Sequence, residues 1–203
     1  MHFDLQSLIR TAGYLGVWAI IFAESGLLIG FFLPGDSLLF VAGFIASTPN
    51  SPFNIVILTV GCWIAAVAGD NVGYSTGYRF GRKLFRREES WFFHKENLVK
   101  AQNFYAKHGK KTIILARFLP IVRTFAPIVA GIGSMNYRVF FIYNVVGGTL
   151  WAIGLTLLGY FLGRWIPSDL MEKYLILIIV MIVITSLLPS VWHLYQERKY
   201  PQK

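Results

Sequence analysis

The residues with the clearest chemical potential are two arginines, Arg117 and Arg123, six positions apart in an otherwise apolar run from Thr112 to Met135. Arginine stays charged and offers a planar fork of N–H donors that matches phosphate or carboxylate. On an unbroken helix, positions six apart point about 240° apart, so the two side chains would diverge. Pro120 lies between them and breaks the helix, and Pro127 follows. The pattern predicts that both guanidiniums approach one anion.

Two acidic residues accompany the arginines in apolar surroundings. Glu24 is the sole charged residue between Thr11 and Leu33, and Asp36 follows the helix-breaking pair Pro34-Gly35. Asp36 therefore occupies a typical N-cap position for a short helix that begins there. Carboxylates in a dry environment can exchange protons near neutral pH, so Glu24 and Asp36 are candidates for proton coupling. The alternative is that acids and arginines only neutralise one another.

Asp70 is a fifth ionisable residue in an apolar segment, and its role is open between function and support of a neighbouring cation. Nothing indicates a metal or a cofactor, because Cys62 is the only cysteine and its apolar context favours a small core residue. A lipid phosphatase would need a nucleophilic histidine beside a second one. The histidines are instead scattered outside the charged segments, so an enzyme is not expected; they are His2, His94, His108 and His193.

These charges matter because the surrounding chain is strongly apolar. Of the 203 residues, 55% are hydrophobic and 14% charged, and the mean hydropathy is +0.55. Soluble domains carry about 25% charged residues, whereas apolar runs of about 18 or more residues indicate membrane helices. We therefore expect an all-α polytopic membrane protein in which residues 1–203 form a single membrane domain. A charge at the bilayer centre costs about 2.5 kcal/mol or more, so the five ionisable residues should line a polar cavity.

The chain also repeats itself. Phe32-Leu33-Pro34 recurs as Phe118-Leu119-Pro120 at an offset of 86, and a Gly-Tyr-x-x-Gly-Arg motif at Gly77 recurs at Gly159 at an offset of 82. Val-Ala-Gly, ending at Gly43, recurs 88 residues later. Each half predicts a broken helix followed by one crossing, so the second half should be inverted relative to the first.

This repeat sets the expected boundaries. Although residues 13–32 are long enough for one helix, the Pro-Gly break and a short apolar segment follow, which favours a re-entrant hairpin. The first repeat is residues 11–82, with a hairpin at 13–47 and a span at 53–80; the second is residues 112–164, with a hairpin at 112–135 and a span at 137–164. The predicted helix breaks are Pro34, Gly35, Pro120 and Pro127.

The net charge of +9 is concentrated between the apolar runs. Residues 79–111 hold ten Lys or Arg against three Glu, and a last apolar span at 174–193 ends in basic residues. This distribution is typical of cytoplasmic segments that face anionic lipid, not of nucleic-acid binding. Residues 83–111 are predicted to form an amphipathic helix on the cytoplasmic membrane surface, although an ordinary solvated helix would show a similar pattern.

The motifs around the charges resemble those of the bacterial DedA family, whose core is called the VTT or SNARE-associated domain. The resemblance covers roughly residues 16–164 and rests on Glu24 with Phe32-Leu33-Pro34-Gly35-Asp36, on Gly69-Asp70, and on Arg117-x-x-Pro120-x-x-Arg123. It implies two facing re-entrant hairpins and proton-dependent transport, and in some members the return of undecaprenyl phosphate across the bacterial plasma membrane. It also implies that Glu24, Asp36, Arg117 and Arg123 are functional positions.

Two functions remain open at this point. The first is a translocase for a lipid phosphate, with the phosphate on Arg117 and Arg123 and protons on Glu24 and Asp36. The second is a proton-coupled carrier of small solutes or drugs, or a membrane homeostasis protein, that uses the same residues. The expected partners are the lipid-phosphate substrate, membrane lipids and protons, and a homo-oligomer is compatible with the sequence.

Overall fold

The computed structural model describes residues 5–27, 33–81, 113–114, 117 and 120–165. Every regular element in these ranges is helical. The predicted surface helix at 83–111 and the predicted span at 174–193 lie outside the described residues. The helices are α1 Leu5–Gly26, α2 Gly35–Ser47, α3 Ile55–Thr76, α4 Pro120–Ile132, α5 Tyr137–Gly148 and α6 Gly154–Trp165.

Two long helices are apolar and long enough to cross a bilayer in the described part of the chain. α3 continues through a π-helical turn, Gly77–Gly81, and the apolar helix counted to Phe80 has 26 residues. α5 and α6 are joined by a second π-helical turn, Thr149–Ile153, into a helix of 29 residues. At 1.5 Å per residue both exceed the roughly 30 Å of the hydrocarbon core.

The other helices are too short to cross. α1 is interrupted at Gly13, where φ is 62° and ψ is −162°. Nothing lies within 4 Å of an added Cβ there, so the backbone conformation, not space, requires glycine. Residues 14–26, α2 and α4 each have 13 residues, or about 20 Å. The apolar run predicted a helix as far as residue 32, but α1 ends at Gly26, whose backbone packs against Gly69.

The proline breaks at Pro34 and Pro120 precede or begin a helix as predicted, but the N-cap of α2 differs from the prediction. α4 begins at Pro120, where the missing N–H is not needed and φ is already suitable for a helix. α2 begins at Gly35, with Pro34 as its N-cap, and Pro34 makes no side-chain cap hydrogen bond. The prediction that Asp36 is the N-cap is therefore wrong. Asp36 lies in the first turn, and its carboxylate accepts hydrogen bonds from other helices.

The repeat extends to the starts of the long helices. The side chain of Asn54 caps α3 by accepting from two backbone N–H groups at 2.9 and 3.3 Å. Asn136 caps α5 in the same way, at 3.0 and 3.4 Å. The two asparagines are 82 residues apart, the offset of the Gly-Tyr motifs. The long helices therefore correspond from their first turn onward.

α2 and α4 each pack against the long helix of the other repeat through glycines. A Cβ added at Gly43 of α2 or at Gly159 of α6 would overlap a backbone carbonyl of the opposite helix. Gly131 of α4 and Gly77 at the end of α3 form the equivalent contact. The offsets are 88 for Gly43 and Gly131 and 82 for Gly77 and Gly159. The short helix α2 of the first repeat thus packs on α6 of the second, and the short helix α4 of the second repeat packs on α3 of the first.

Candidate functional site

The five ionisable residues that the sequence analysis singled out lie in one buried cluster between the two repeats. Glu24, Asp70, Arg117 and Arg123 expose at most 4% of their surface, and the Asp36 side chain exposes 15%. The cluster divides into two ion-pair groups, each built around one arginine.

The first group joins three short helical segments through Arg123. Arg123 lies in the first turn of α4, and its Nη1 donates to Oδ1 of Asp36 at 2.6 Å. Its Nη2 donates to Oε1 of Glu24 near the end of α1. Gly35 allows this arrangement, because a Cβ at that position would overlap the Glu24 carboxylate. One guanidinium therefore ties α1 and α2 to α4.

The second group places Arg117 against the long helices. Its Nη2 donates to Oδ2 of Asp70 on α3 and to Oδ1 of Asn144 on α5. Asn144 is itself held by its Nδ2, which donates to the carbonyl of Val67 at 3.1 Å. A Cβ at Gly147 would lie 2.9 Å from Cδ of Arg117, so α5 leaves room for the arginine only because a glycine faces it.

Trp151 stands between the two groups. It is 2% exposed and lies in the π-helical turn Thr149–Ile153. The guanidinium carbon of Arg123 is 4.3 Å from the centroid of its ring, and that of Arg117 is 5.9 Å away. Its Nε1 donates to Oδ1 of Asp36 at 2.6 Å. Single π-helical turns often occur at functional sites.

The cluster has spare hydrogen-bonding capacity and an excess of acid. Three carboxylates face two guanidiniums, which leaves one net negative formal charge when all are ionised. Among the described residues, the buried atoms without a hydrogen-bond partner include Oε2 of Glu24, Oδ1 of Asp70, Nε and Nη1 of Arg117, and Nε of Arg123. Unpaired buried N–H groups are costly, and the oxygens of an anion could accept from them.

The geometry brings the predicted residues together in a definite pairing. Glu24 and Asp36 contact Arg123, whereas Asp70 contacts Arg117. Of the predicted helix breaks, Pro34 and Gly35 precede and begin α2, and Pro120 begins α4. The prediction of a break at Pro127 is wrong, because Pro127 lies within α4, which continues to Ile132, and its Cβ is 3.4 Å from an added Cβ at Gly73.

Sequence reasoning missed Asn144 and Trp151. Asn144 carries a detectable signal, because it is the only amide side chain in the uncharged run 139–163. Trp151 carries none, since tryptophan is common in membrane helices and its place beside the arginines depends on the π-helical turn.

Gly35→Ala is expected to destabilise the protein by about 3 kcal/mol, because the added Cβ displaces the Glu24 carboxylate from a buried ion pair. The measurement is the thermal unfolding of the purified protein in detergent micelles. Gly154→Ala is the matched control: Gly154 is also at the start of a helix, and nothing lies within 4 Å of an added Cβ. Equal melting temperatures for the two variants would contradict the assigned role of Gly35.

The chain is similar to known proteins over most of its length. A protein-family model described as the VTT domain matches residues 33–161, which include Asp36, Asp70, Arg117 and Arg123. Among curated proteins, the chain is 47% identical over 205 residues to protein DedA of Escherichia coli K12, with 98% of this chain and 92% of the relative covered.

Two further relatives are named membrane proteins. One is an uncharacterized membrane protein of Mycobacterium tuberculosis, 46% identical over 175 residues, with 86% of this chain and 75% of the relative covered. The other is the inner membrane protein YqjA of Escherichia coli K12, 34% identical over 159 residues, with 74% and 68% covered. No solved structure matches the chain.

Proposed function

The chain belongs to the DedA family of VTT-domain membrane proteins, and from that premise we propose that it transports a lipid phosphate across the bacterial plasma membrane in a proton-coupled step. Undecaprenyl phosphate is the substrate proposed first. The observation that carries the proposal is the position of Arg123, which is buried between two carboxylates and whose Nε has no hydrogen-bond partner among the described residues.

The proposed membrane architecture is an inverted repeat of two re-entrant hairpins that meet between two spans. It is supported by the 13-residue lengths of α2 and α4, by the two long apolar helices, and by the exchange of glycine contacts between repeats. The basic segment 79–111 and the C-terminus are assigned to the cytoplasm, because positively charged segments favour that side.

The proposed mechanism is an exchange of carboxylate for phosphate at Arg123. Carboxylate is planar and phosphate is tetrahedral, but both are anions with two oxygens that can accept two parallel hydrogen bonds from a guanidinium. A phosphate can take the two N–H groups that Arg123 now donates to Asp36 and Glu24 only if one of these carboxylates is displaced. A displaced, ionised carboxylate in a buried site is costly unless it gains a proton. Binding of phosphate is therefore linked to uptake of a proton by the acids.

Arg117 supplies the second cationic contact in this proposal. Among the described residues its Nε and Nη1 have no hydrogen-bond partner, while its Nη2 is held by Asp70 and Asn144. The arginine can therefore contact a phosphate without losing the carboxylate that compensates its own charge. In this role Asp70 supports Arg117 and does not exchange protons.

The test is a flipping assay with fluorescently labelled undecaprenyl phosphate in liposomes that contain the purified protein. We expect the wild type to flip the lipid and a proton gradient to change the rate. Arg117→Ala and Glu24→Gln should each lower the rate at least tenfold, because the first removes a cationic contact to the phosphate and the second removes a carboxylate that takes up the proton. If the wild type does not flip the lipid but takes up small solutes or drugs in a proton-linked manner, the alternative transporter class is correct. If both variants flip at the wild-type rate, the site assignment is wrong.

A further inference from the structure

The feature that the exchange mechanism leaves unexplained is what holds Arg123 once its carboxylates have released it. In the described structure its two terminal nitrogens are bound to Asp36 and Glu24, and its Nε is unpartnered. A guanidinium on a flexible side chain would lose its orientation when those two bonds break, unless another group held its plane, and among the described residues that group is the ring of Trp151.

The position of Trp151 allows its ring to stay against Arg123 during such an exchange. Its ring faces Arg123 with 4.3 Å between the guanidinium carbon and the centroid, and it is 2% exposed. The ring lies on a long helix, whereas Glu24 and Asp36 lie on the short helices α1 and α2. The stacking contact does not use an N–H of the guanidinium, so it is compatible with phosphate on the same group.

From this geometry we infer that Trp151 is a positioning residue for the substrate anion: its ring is the platform that keeps the Arg123 guanidinium aimed at a lipid phosphate while the carboxylates are displaced. The inference rests on the proposed function and adds a residue to it. The indole N–H has a separate task, since its hydrogen bond to Asp36 fixes the orientation of the ring in the carboxylate-bound state.

The experiment compares two substitutions that both remove the indole N–H but differ in the ring. Trp151→Phe keeps an aromatic face, whereas Trp151→Met replaces the ring with a flexible apolar chain. Flipping of labelled undecaprenyl phosphate is measured in liposomes at increasing densities of that lipid. We expect Trp151→Met to raise the half-saturating density about tenfold, the order expected for loss of a desolvated cation–π contact. Trp151→Phe should restore it to within about threefold of wild type, with smaller changes in the maximal rate for both.

Trp63→Phe is the matched control. Its indole also donates to the π-helical turn, to Thr149 at 3.1 Å, whereas the cation–π contacts of Arg117 and Arg123 within the described residues are with Trp151. Trp63→Phe should leave the half-saturating density unchanged. Trp151→Leu replaces Trp151→Met if the latter does not accumulate as folded protein, because the comparison needs only an apolar side chain without a ring.

The outcomes separate this inference from the function on which it rests. If the wild type does not flip the lipid, the proposed function fails and the role of Trp151 fails with it. If the wild type flips but the ring-free variant has the wild-type half-saturating density, only the role of Trp151 is overturned. The same holds if Trp151→Phe and the ring-free variant raise that density equally, since the aromatic face would then contribute nothing.

Discussion

Arg123→Ala is expected to lower the rate of lipid-phosphate flipping at least about a hundredfold. The substitution removes the N–H donor to Asp36 and the N–H donor to Glu24, together with the cation that a phosphate would bind. A hundredfold loss corresponds to about 2.7 kcal/mol, within the range for removing a charged hydrogen-bonding group from a preorganised site. The measurement is the initial rate in liposomes, normalised to the amount of folded protein.

Two further variants test whether the loss of flipping is specific to the Arg123 guanidinium. Arg123→Lys keeps the charge but cannot form two parallel hydrogen bonds, so we expect it to recover only part of the rate. Arg164→Ala removes an arginine that stacks on Tyr160 at 5.5 Å, is exposed and lies outside the cluster. It should flip at the wild-type rate. Similar rates for Arg123→Ala and Arg164→Ala would show that the cluster does not bind the substrate.

Asp70→Asn is expected to destabilise the protein by about 3–5 kcal/mol, because it leaves the buried guanidinium of Arg117 without its carboxylate. Thermal unfolding in detergent micelles measures the effect. Asp36→Asn is the comparison: its side chain is 15% exposed and Arg123 keeps Glu24, so the loss should be smaller. The double variant Asp70→Asn, Arg117→Gln removes both charges and should regain most of the stability.

The same variants decide the role of Asp70. If Asp70 only supports Arg117, folded Asp70→Asn protein should still flip lipid phosphate at more than about a tenth of the wild-type rate. A complete loss of flipping in folded protein would make Asp70 a participant in transport. A wild-type melting temperature for Asp70→Asn would instead show that Arg117 does not depend on it.

The sequence alone was enough to find the charged residues of the site, because ionisable side chains in apolar runs are expensive unless they meet. It could not determine which acid meets which arginine. The paired residues are 47, 87 and 99 positions apart, so the pairing depends on how α1, α2 and α4 pack between the long helices. The role of Trp151 could not be predicted for a similar reason. It lies beside both guanidiniums in a local π-helical turn, which the sequence does not indicate.

The fold was predictable where a residue type enforces it and less so elsewhere. Pro120 marks the start of α4, and the glycines of the repeats mark close approach of backbones, as Gly77 shows against the carbonyl of Ile128. The end of α1 at Gly26 was missed, because the apolar run continues beyond it and composition alone does not mark where a helix ends. The N-cap of α2 was misplaced by two residues, since the carboxylate of Asp36 is used by Arg123 and Trp151 instead.

The exchange of glycine contacts between the repeats has a consequence for biosynthesis. α2 packs on α6, and Glu24 and Asp36 bind an arginine that the ribosome adds 99 and 87 residues later. At roughly 5–20 residues per second, both acids wait several seconds or more for that cation. During this interval the first half of the chain has neither its ion-pair partner nor its packing partner. The nascent segment that carries Glu24 and Asp36 must therefore stay near the aqueous interface or be shielded by the insertion machinery until the second half arrives.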